Sequence, residues 1–194
     1  MNDCKIYGAG AVSGGTYREV SIAGSGKIKG EITAESFSVS GSAKALDNLD
    51  VKTLKVSGSF SAEKNVKAED IKIAGSLAVK ENLSSAKAHI SGSLKVGKEA
   101  NVDDFFLKSS NSEIAALHGD NVTIKREMAI FFSKKHNLIE EIEATTIDIE
   151  YVKAKRVSGD NVTIGQGCII DTVEYRDKIT VSKEAKIDNI VKLG

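Results

Sequence analysis

A glycine that recurs every seventeen residues is the feature that most constrains the fold of this chain. The glycines in phase, each followed by serine, are Gly24, Gly41, Gly58, Gly75 and Gly92. A fixed period of this size is the signature of a repeat protein, in which each repeat is one structural unit that stacks on its neighbours. A unit of this length is too short for a strand plus a helix, but it suits three short strands separated by corners.

Apolar residues recur in phase with these glycines in four columns. Two columns lie four and two residues before each glycine, and two lie four and eight residues after it. The columns before the glycines contain Val20, Phe37, Leu54, Ile71 and Ala88, and Ile22, Val39, Val56, Ile73 and Ile90. The columns after them contain Ile28, Ala45, Ala62, Val79 and Val96, and Ile32, Leu49, Val66, Leu83 and Ala100. Apolar and polar residues alternate within each stretch, which is typical of β-strands. The sequence therefore predicts an all-β fold, a single-stranded parallel β-helix (β-solenoid) with about 17 residues and three short strands per coil.

Stacked coils would place each residue over the residue seventeen positions later, so that like side chains form ladders along the axis. Asn48, Asn65 and Asn82 make one such column at a predicted corner. Asparagine tolerates the left-handed backbone of a tight corner, and stacked amides can hydrogen-bond along the axis. The glycine column indicates a corner that requires either positive φ or close packing.

The periodicity predicts a single domain over residues 1–194. An irregular segment around 126–145 is expected to separate the regular repeats (20–125) from the C-terminal coils (146–194). We interpret it as an irregular coil, because Phe131 and Phe132 need to be covered. Periodicity then returns: Val162 and Ile164 recur as Ile179 and Val181. The hexapeptide Gly-Asp-Asn-Val-Thr-Ile at 119–124 also recurs unchanged at 159–164, which indicates duplication.

Charge and cysteine content bear on partners and location. The chain has 27 basic and 27 acidic residues without a basic stripe, so no nucleic-acid partner is expected. Cys4 and Cys168 are far apart in sequence and are interpreted as reduced thiols, with Cys168 a small buried hydrophobe. No stretch resembles a signal peptide or reaches the length of a transmembrane helix. The expected location is the cytoplasm, and contact with the inner face of the membrane is left open.

No residues in the sequence form a recognisable catalytic, cofactor-binding or metal-binding pattern. The three histidines lie at unrelated phases of the repeat, and no cysteine cluster has metal-ligand spacing. The adjacent carboxylates Asp103 and Asp104, and Glu140 and Glu141, are expected to point to opposite faces of their strands, which argues against a shared acid–base site. The prediction is a protein that is not an enzyme and needs no cofactor.

The repeated Val/Ile-x-Gly-Ser units, with Gly-Lys-Ile-Lys-Gly-Glu-Ile at 26–32, resemble bactofilins, the bacterial polymer-forming cytoskeletal proteins. The segment 157–175 is similar to the C-terminal part of a longer bactofilin-like group of Gram-positive bacteria. The resemblance implies a right-handed coil and non-polar filaments that assemble end to end without nucleotide. It also implies cell-envelope or morphogenesis proteins as partners. The chain has nearly twice the coils of the short members and lacks their proline-rich tails, so how partners would be recruited is left open.

Three function classes follow from these observations: a structural polymer, a monomeric or dimeric rigid solenoid that acts as an adaptor, and a β-helix enzyme. The enzyme class is disfavoured because the period is shorter than the coils of the polysaccharide lyases and the hexapeptide pattern of the acyltransferases is missing. A monomeric solenoid needs polar caps, and neither terminal stretch resembles one. The favoured prediction is a homopolymer formed by end-to-end stacking of coils. Its candidate contact residues are Ile6, Tyr7 and Val12 at one end and Ile187, Ile190, Val191 and Leu193 at the other.

Overall fold

A computed structural model describes residues 2–127 and 135–194, and every regular element in these ranges is a β-strand. The strands are β1 (Asn2–Ile6), β2 (Ala9–Ile22), β3 (Ser25–Val39), β4 (Ser42–Ala45), β5 (Leu49–Val56), β6 (Ser59–Ala62), β7 (Val66–Ile73), β8 (Ser76–Val79), β9 (Leu83–Ser91), β10 (Ser93–Lys108), β11 (Glu113–Lys125), β12 (Asn137–Ile149), β13 (Val152–Ile164), β14 (Ile169–Val181) and β15 (Lys186–Lys192). All the pairings between them are parallel, and each strand except β1 and β15 pairs with strands of the coil before and the coil after. The predicted β-solenoid is confirmed. The handedness implied by the resemblance stays a prediction.

One regular coil shows how the sequence makes the three sides. Ala43 and Ala45 of β4 face the interior, followed by Leu49 and Val51 and then by Leu54 and Val56 of β5. Between the last two pairs, residues 52 and 53 both lie outside the core, so β5 turns a corner without losing its pairing. The second and third sides of the coil are therefore one bent strand rather than two separate ones.

The spacing between stacked residues measures the length of each coil. It is seventeen residues throughout the regular part, as in Leu49–Val66–Leu83. Shorter spacings occur from Val12 to Ile28 (sixteen residues), from Ile142 to Val157 (fifteen) and from Val157 to Val173 (sixteen). Longer spacings occur from Val96 to Ile114 (eighteen) and from Leu117 to Ile142 (twenty-five). Extra or missing residues fall at corners, so the inward columns continue through the irregular coils.

The irregular segment is shorter than predicted. β12 begins at Asn137 and pairs in register with β11 and β13, so the prediction that irregularity extends to residue 145 is wrong. The periodicity was hidden there because the neighbouring coils have twenty-five and fifteen residues instead of seventeen. Residues 128–134, with Phe131 and Phe132, lie outside the described residues.

A small buried polar network lies where the spacing first lengthens. The Ser112 hydroxyl donates to Ser109 Oγ at 2.9 Å, and the Leu94 N–H donates to Ser112 Oγ at 3.0 Å. Asn137 reaches across from β12, donating to the Ser109 carbonyl at 2.9 Å and accepting from the Ser112 N–H at 3.0 Å. These bonds satisfy the backbone groups that the extra corner residues would otherwise leave unpaired.

Close packing along the axis accounts for the glycine column. A Cβ atom at Gly24, Gly41, Gly58 or Gly75 would overlap the carbonyl oxygen of the glycine one coil earlier, or of Gly8 in the case of Gly24. Gly92 is the only one of the five with positive φ, at 152°. Of the two explanations offered by the sequence, close packing therefore holds for the column and positive φ does not.

Replacement of Gly58 by alanine is expected to destabilise the solenoid, because the new methyl group must displace the Gly41 carbonyl. Overpacking of this kind costs about 1–3 kcal/mol. The matched control is Gly8→Ala, whose Cβ would meet nothing within 4 Å. Urea unfolding followed by circular dichroism should give a lower midpoint for Gly58→Ala alone. Equal midpoints for the two variants would contradict the packing explanation.

The asparagine ladder forms as predicted. Asn65 Nδ2 donates to Asn48 Oδ1 at 3.1 Å, and Asn82 Nδ2 donates to Asn65 Oδ1 at 3.0 Å. Each Oδ1 also accepts the backbone N–H of the next coil, ending with the Glu99 N–H on Asn82 at 3.2 Å. None of the three asparagines has positive φ, so the expectation of a left-handed corner is wrong. The amide ladder itself explains the choice of asparagine.

Glu63 forms ion pairs with a lysine of the coil before it and a lysine of the coil after it. Its carboxylate contacts Lys44 at 2.6 Å and also Lys80, and hydrogen bonds from these two lysines lower the pKa of Glu63 to about 2. Because the folded-state pKa is below the ordinary value of 4.5, the contribution to stability is present above that pH and is lost as the pH falls toward 2.

The comparison of wild type with Glu63→Gln tests this linkage. Wild type is expected to melt at a higher temperature than the variant at pH 7. The difference should shrink as the pH falls below about 4.5 and be nearly gone by about pH 2, where Glu63 is protonated in the unfolded chain and about half protonated in the folded one. Thermal unfolding at a series of pH values measures the melting temperatures of wild type and of Glu63→Gln. A difference in melting temperature that does not change with pH would show that the contacts with Lys44 and Lys80 do not form.

Candidate self-assembly surfaces

The N-terminal end of the solenoid is the coil made by β1 and β2. β1 pairs with residues 17–22 of β2, and within the described residues it has no other partner. The outer edge of β1 and the outer edge of residues 9–16 of β2 are thus free to pair. Unpaired edges of this kind are templates for the strands of another chain.

The interior of this first coil is covered by its own side chains. Ile6 lies against Gly10, where a Cβ atom would be 3.3 Å from Ile6 Cγ2. Tyr17 lies beside Gly15, and its hydroxyl donates to the Ser13 carbonyl at 3.0 Å. Both side chains pack against the core, and Val12 is only 2% exposed, so its side chain is not available for the predicted contact with a second copy. The glycines leave space that Ile6 and Tyr17 fill, which closes this end of the core.

The other two predicted positions at this end differ in exposure. Ile6 faces the interior above Ile22 and is half-buried. Tyr7 is 81% exposed and follows the end of β1 at a corner. The N-terminal end therefore presents strand edges and one aromatic ring, but little of its apolar interior.

The C-terminal end is open. β15 covers only residues 169–175 of β14, so the outer edge of residues 176–181 and the outer edge of β15 lack a partner among the described residues. Ile187 and Ile190 continue the inward columns of Ile170 and Val173. Ile187 is half-buried and Ile190 is 51% exposed, because no further coil covers them.

Val191 and Leu193 do not belong to the inward columns. Val191 pairs with Glu174 in an outward column and is 44% exposed. The Leu193 N–H donates to the Tyr175 carbonyl at 2.8 Å, and its side chain is half-buried on the outside of the rod. Both lie close to the end, but only Ile187 and Ile190 would continue the core into a further coil.

The structure adds two residues that the prediction missed. Ile179 and Val181 of β14 continue the inward columns of Val162 and Ile164, and Val181 is 39% exposed. The signal was present in the sequence as the seventeen-residue recurrence of this pair. The prediction included only the last ten residues and therefore omitted this pair. The pair is left uncovered because β15 is too short to reach the end of β14.

The structure places Cys168 in the core, as the sequence predicted. Cys168 is fully buried with Sγ 3.5 Å from the Ile149 carbonyl, and burial raises the pKa of the thiol to about 11. Among the described residues no group of three or more His, Cys, Asp or Glu side chains could hold a metal ion. The same part of the chain contains no helix that is long and apolar enough to span a membrane.

The expectation for the adjacent carboxylates is wrong. Glu140 and Glu141 are both exposed, between the inward residues Ile139 and Ile142, and Asp103 and Asp104 are arranged in the same way. Each pair lies at a corner, where the bent strand turns two successive residues outward and the alternation of a flat strand fails.

Comparison with known proteins gives two partial matches. No family model and no solved structure matches the chain. The chain is similar to the uncharacterized protein YhbF of Bacillus subtilis (strain 168), with 35% identity over 83 residues that cover 42% of this chain and 35% of YhbF. It is also similar to the uncharacterized protein YhbE of the same organism, with 41% identity over 54 residues that cover 28% of this chain and 23% of YhbE. Each match thus spans well under two thirds of the relative.

Proposed function

We propose that this protein is a structural scaffold that assembles end to end into filaments. The observation that supports the proposal is the open C-terminal end, where inward apolar columns finish uncovered at Val181, Ile187 and Ile190 beside unpaired strand edges. A further coil supplied by a second copy would bury these side chains and pair these edges. The resemblance to bactofilins supports the same function, with cell-envelope or morphogenesis proteins as clients and a cytoplasmic location.

The energetic argument rests on apolar burial. Full burial of one Val, Ile or Leu side chain is worth about 1.5–3 kcal/mol. The side chains at the open end are already partly covered, so each gains a fraction of that value, and strand pairing adds to it. Joining two ends leaves another end free on each copy, so association of this kind does not close and produces a filament.

Electron microscopy of the untagged protein in negative stain, over a series of concentrations, tests the proposal. We expect unbranched filaments whose length increases with concentration. Light scattering on a sizing column gives a second measurement of the same equilibrium. A monodisperse monomer at the highest concentration would overturn the proposal.

Assembly is expected to proceed without nucleotide and to survive EDTA. The strand edges that pair and the apolar side chains that become buried all belong to the protein chain, so no metal ion or nucleotide is needed to form the contact. Light scattering measures assembly before and after the addition of EDTA, and with and without ATP or GTP. The control is high salt, which should change the scattering little because the contact is mainly apolar. Disassembly by EDTA, or a requirement for nucleotide, would reveal a metal-binding or nucleotide-binding site.

The covered N-terminal end favours the second candidate function, a rigid adaptor. Ile6 and Tyr17 close the core there, as the caps of monomeric solenoids do. An adaptor would use the sides of the rod to bind partners and would associate at most to a dimer through the open end. A sizing-column mass that stops at the dimer would favour this function over the filament.

A further inference from the structure

The outermost strands at the two ends of the solenoid occupy complementary positions along the coil. At the N-terminal end the outermost layer is β1 followed by residues 9–16 of β2. At the C-terminal end it is residues 176–181 of β14 followed by β15. Each layer has a free strand edge, and β1 lies on the same side of the rod as residues 176–181.

Two inward columns run from β1 to the last residues of β14. Cys4 stacks on Val20, and this column continues through every coil to Ile179. Ile6 and Val181 are the first and the last residue of the second column. Cys4, Ile6 and Ile179 are half-buried and Val181 is exposed. An N-terminal end placed on a C-terminal end would therefore continue both columns and cover these four side chains.

A third inward column begins at Gly15 and ends at Ile190. Gly15 has no side chain, and the Tyr17 ring lies beside it. Ile190, which half projects into solvent at the other end, would lie against Gly15 and the Tyr17 ring. The side chain that protrudes at one end thus meets a glycine and an apolar ring at the other.

The outward columns match in charge. The column that begins at Asp3 ends at Lys178, so that opposite charges would be stacked across the junction. The neighbouring outward column begins at Lys5 and ends at Thr180, which brings no like charges together. Exposed pairs add only about 0–1 kcal/mol each, so their role is to favour one orientation over another.

Contact between two identical ends would lose these matches. A two-fold axis reverses one copy relative to the other, so the strands at the junction would run antiparallel and a column would meet residues of other columns. All the pairings among the described strands are parallel. Only contact between unlike ends repeats at the junction the arrangement that successive coils have inside the rod.

We propose that the C-terminal end of one copy binds the N-terminal end of the next, with their strands parallel, so that the filament is polar. β1 of the next copy pairs with residues 176–181, and residues 9–16 of its β2 pair with β15. This inference rests on the proposed function and adds its direction. It differs from the non-polar filaments that the resemblance to bactofilins implies, and the two arrangements are separable by experiment.

Two variants that each block one end test the polarity. Ile190→Asp blocks the C-terminal end and Ile6→Asp blocks the N-terminal end, because each places a carboxylate in the contact. Well above the critical concentration of wild type, each variant alone should be a monomer of 20.6 kDa by light scattering on a sizing column. An equimolar mixture should give twice that mass, because one end of each variant is intact and these two ends are complementary.

Further mixtures serve as controls. Val181→Asp and Ile190→Asp are altered at the same end, so their mixture should stay monomeric. Cys4→Asp replaces Ile6→Asp in a second mixture with Ile190→Asp, so that the result does not depend on one substitution in the first coil. Circular dichroism of each variant verifies that the rod is folded.

The outcomes separate this inference from the proposed function. Filaments of wild type together with a dimer of either variant alone would mean that identical ends bind each other, which overturns the polar arrangement and leaves the filament standing. Filaments of wild type without a dimer in the mixtures would place the contact elsewhere and overturn the inference as well. Absence of filaments from wild type at every concentration would overturn the proposed function, and this inference with it.

Discussion

Replacement of Leu54 by aspartate is expected to abolish cooperative folding of the solenoid. Leu54 is fully buried and stacked between Phe37 and Ile71 of the neighbouring coils. A carboxylate there has no partner, and an unpaired buried charge costs many kcal/mol unless it is neutralised. The whole stability of a typical domain is only about 5–15 kcal/mol. Urea unfolding followed by far-ultraviolet circular dichroism should show no sigmoidal transition.

The neighbouring residue supplies the control for this prediction. Lys55 lies one position later in the same strand and is exposed, so Lys55→Asp introduces the same carboxylate on the outside of the rod. This variant should unfold cooperatively with a midpoint close to that of wild type. A cooperative transition in Leu54→Asp would mean that its column does not lie in the interior.

Replacement of Ile190 by aspartate is expected to prevent filament formation while leaving the fold unchanged. Ile190 is 51% exposed at the open end, so a carboxylate there stays hydrated in the monomer. In a filament the same carboxylate would be buried against the next copy. The critical concentration for assembly should rise at least about tenfold, which corresponds to only ~1.4 kcal/mol of lost contact energy. Sedimentation of filaments measures this critical concentration. The melting temperature of the variant should differ little from that of wild type.

Two further variants make the prediction specific. Lys72→Glu changes an exposed charge in the middle of the rod, where its ion pair with Asp70 is worth about 0–1 kcal/mol, and should leave assembly intact. Val12→Asp should behave in the opposite way to Ile190→Asp, because Val12 is covered and a carboxylate there destabilises the first coil. Filaments of normal length from Ile190→Asp would place the contact elsewhere on the molecule.

Four of the six inward columns of the regular coils could be predicted from the sequence. They contain an apolar residue in every repeat, so they stand out in phase with the glycines. The two missed columns consist of Gly26, Ala43, Phe60, Leu77 and Leu94, and of Ala34, Val51, Ala68, Ser85 and Val102. Gly26 interrupts the first of these columns and Ser85 the second, so neither is apolar in every repeat. Their role in the core shows only in three dimensions, where Phe60 packs against Phe37 with ring centroids 5.4 Å apart.

The irregular coils and the closed end could not be predicted for a different physical reason. A coil accepts additional residues at a corner whenever their backbone groups find partners, as Ser109, Ser112 and Asn137 provide. Nothing in the spacing of apolar residues reports such bonds in advance. The packing of Ile6 beside Gly10 and of Tyr17 beside Gly15 likewise depends on side-chain conformation and not on periodicity.

The constant seventeen-residue register of the regular coils has an evolutionary consequence. Each coil contacts only the coil before and the coil after, and the strand before Gly58 stacks in the same way as the strand before Gly75. Loss of residues 58–74 would join two equivalent corners and leave every remaining ladder in register. Loss of one residue fewer or more would reverse inward and outward positions within a strand, unless the difference fell at a corner as it does in the irregular coils. The rod can therefore change in length by whole coils through simple duplication or deletion in the gene, while its width and its two ends stay the same.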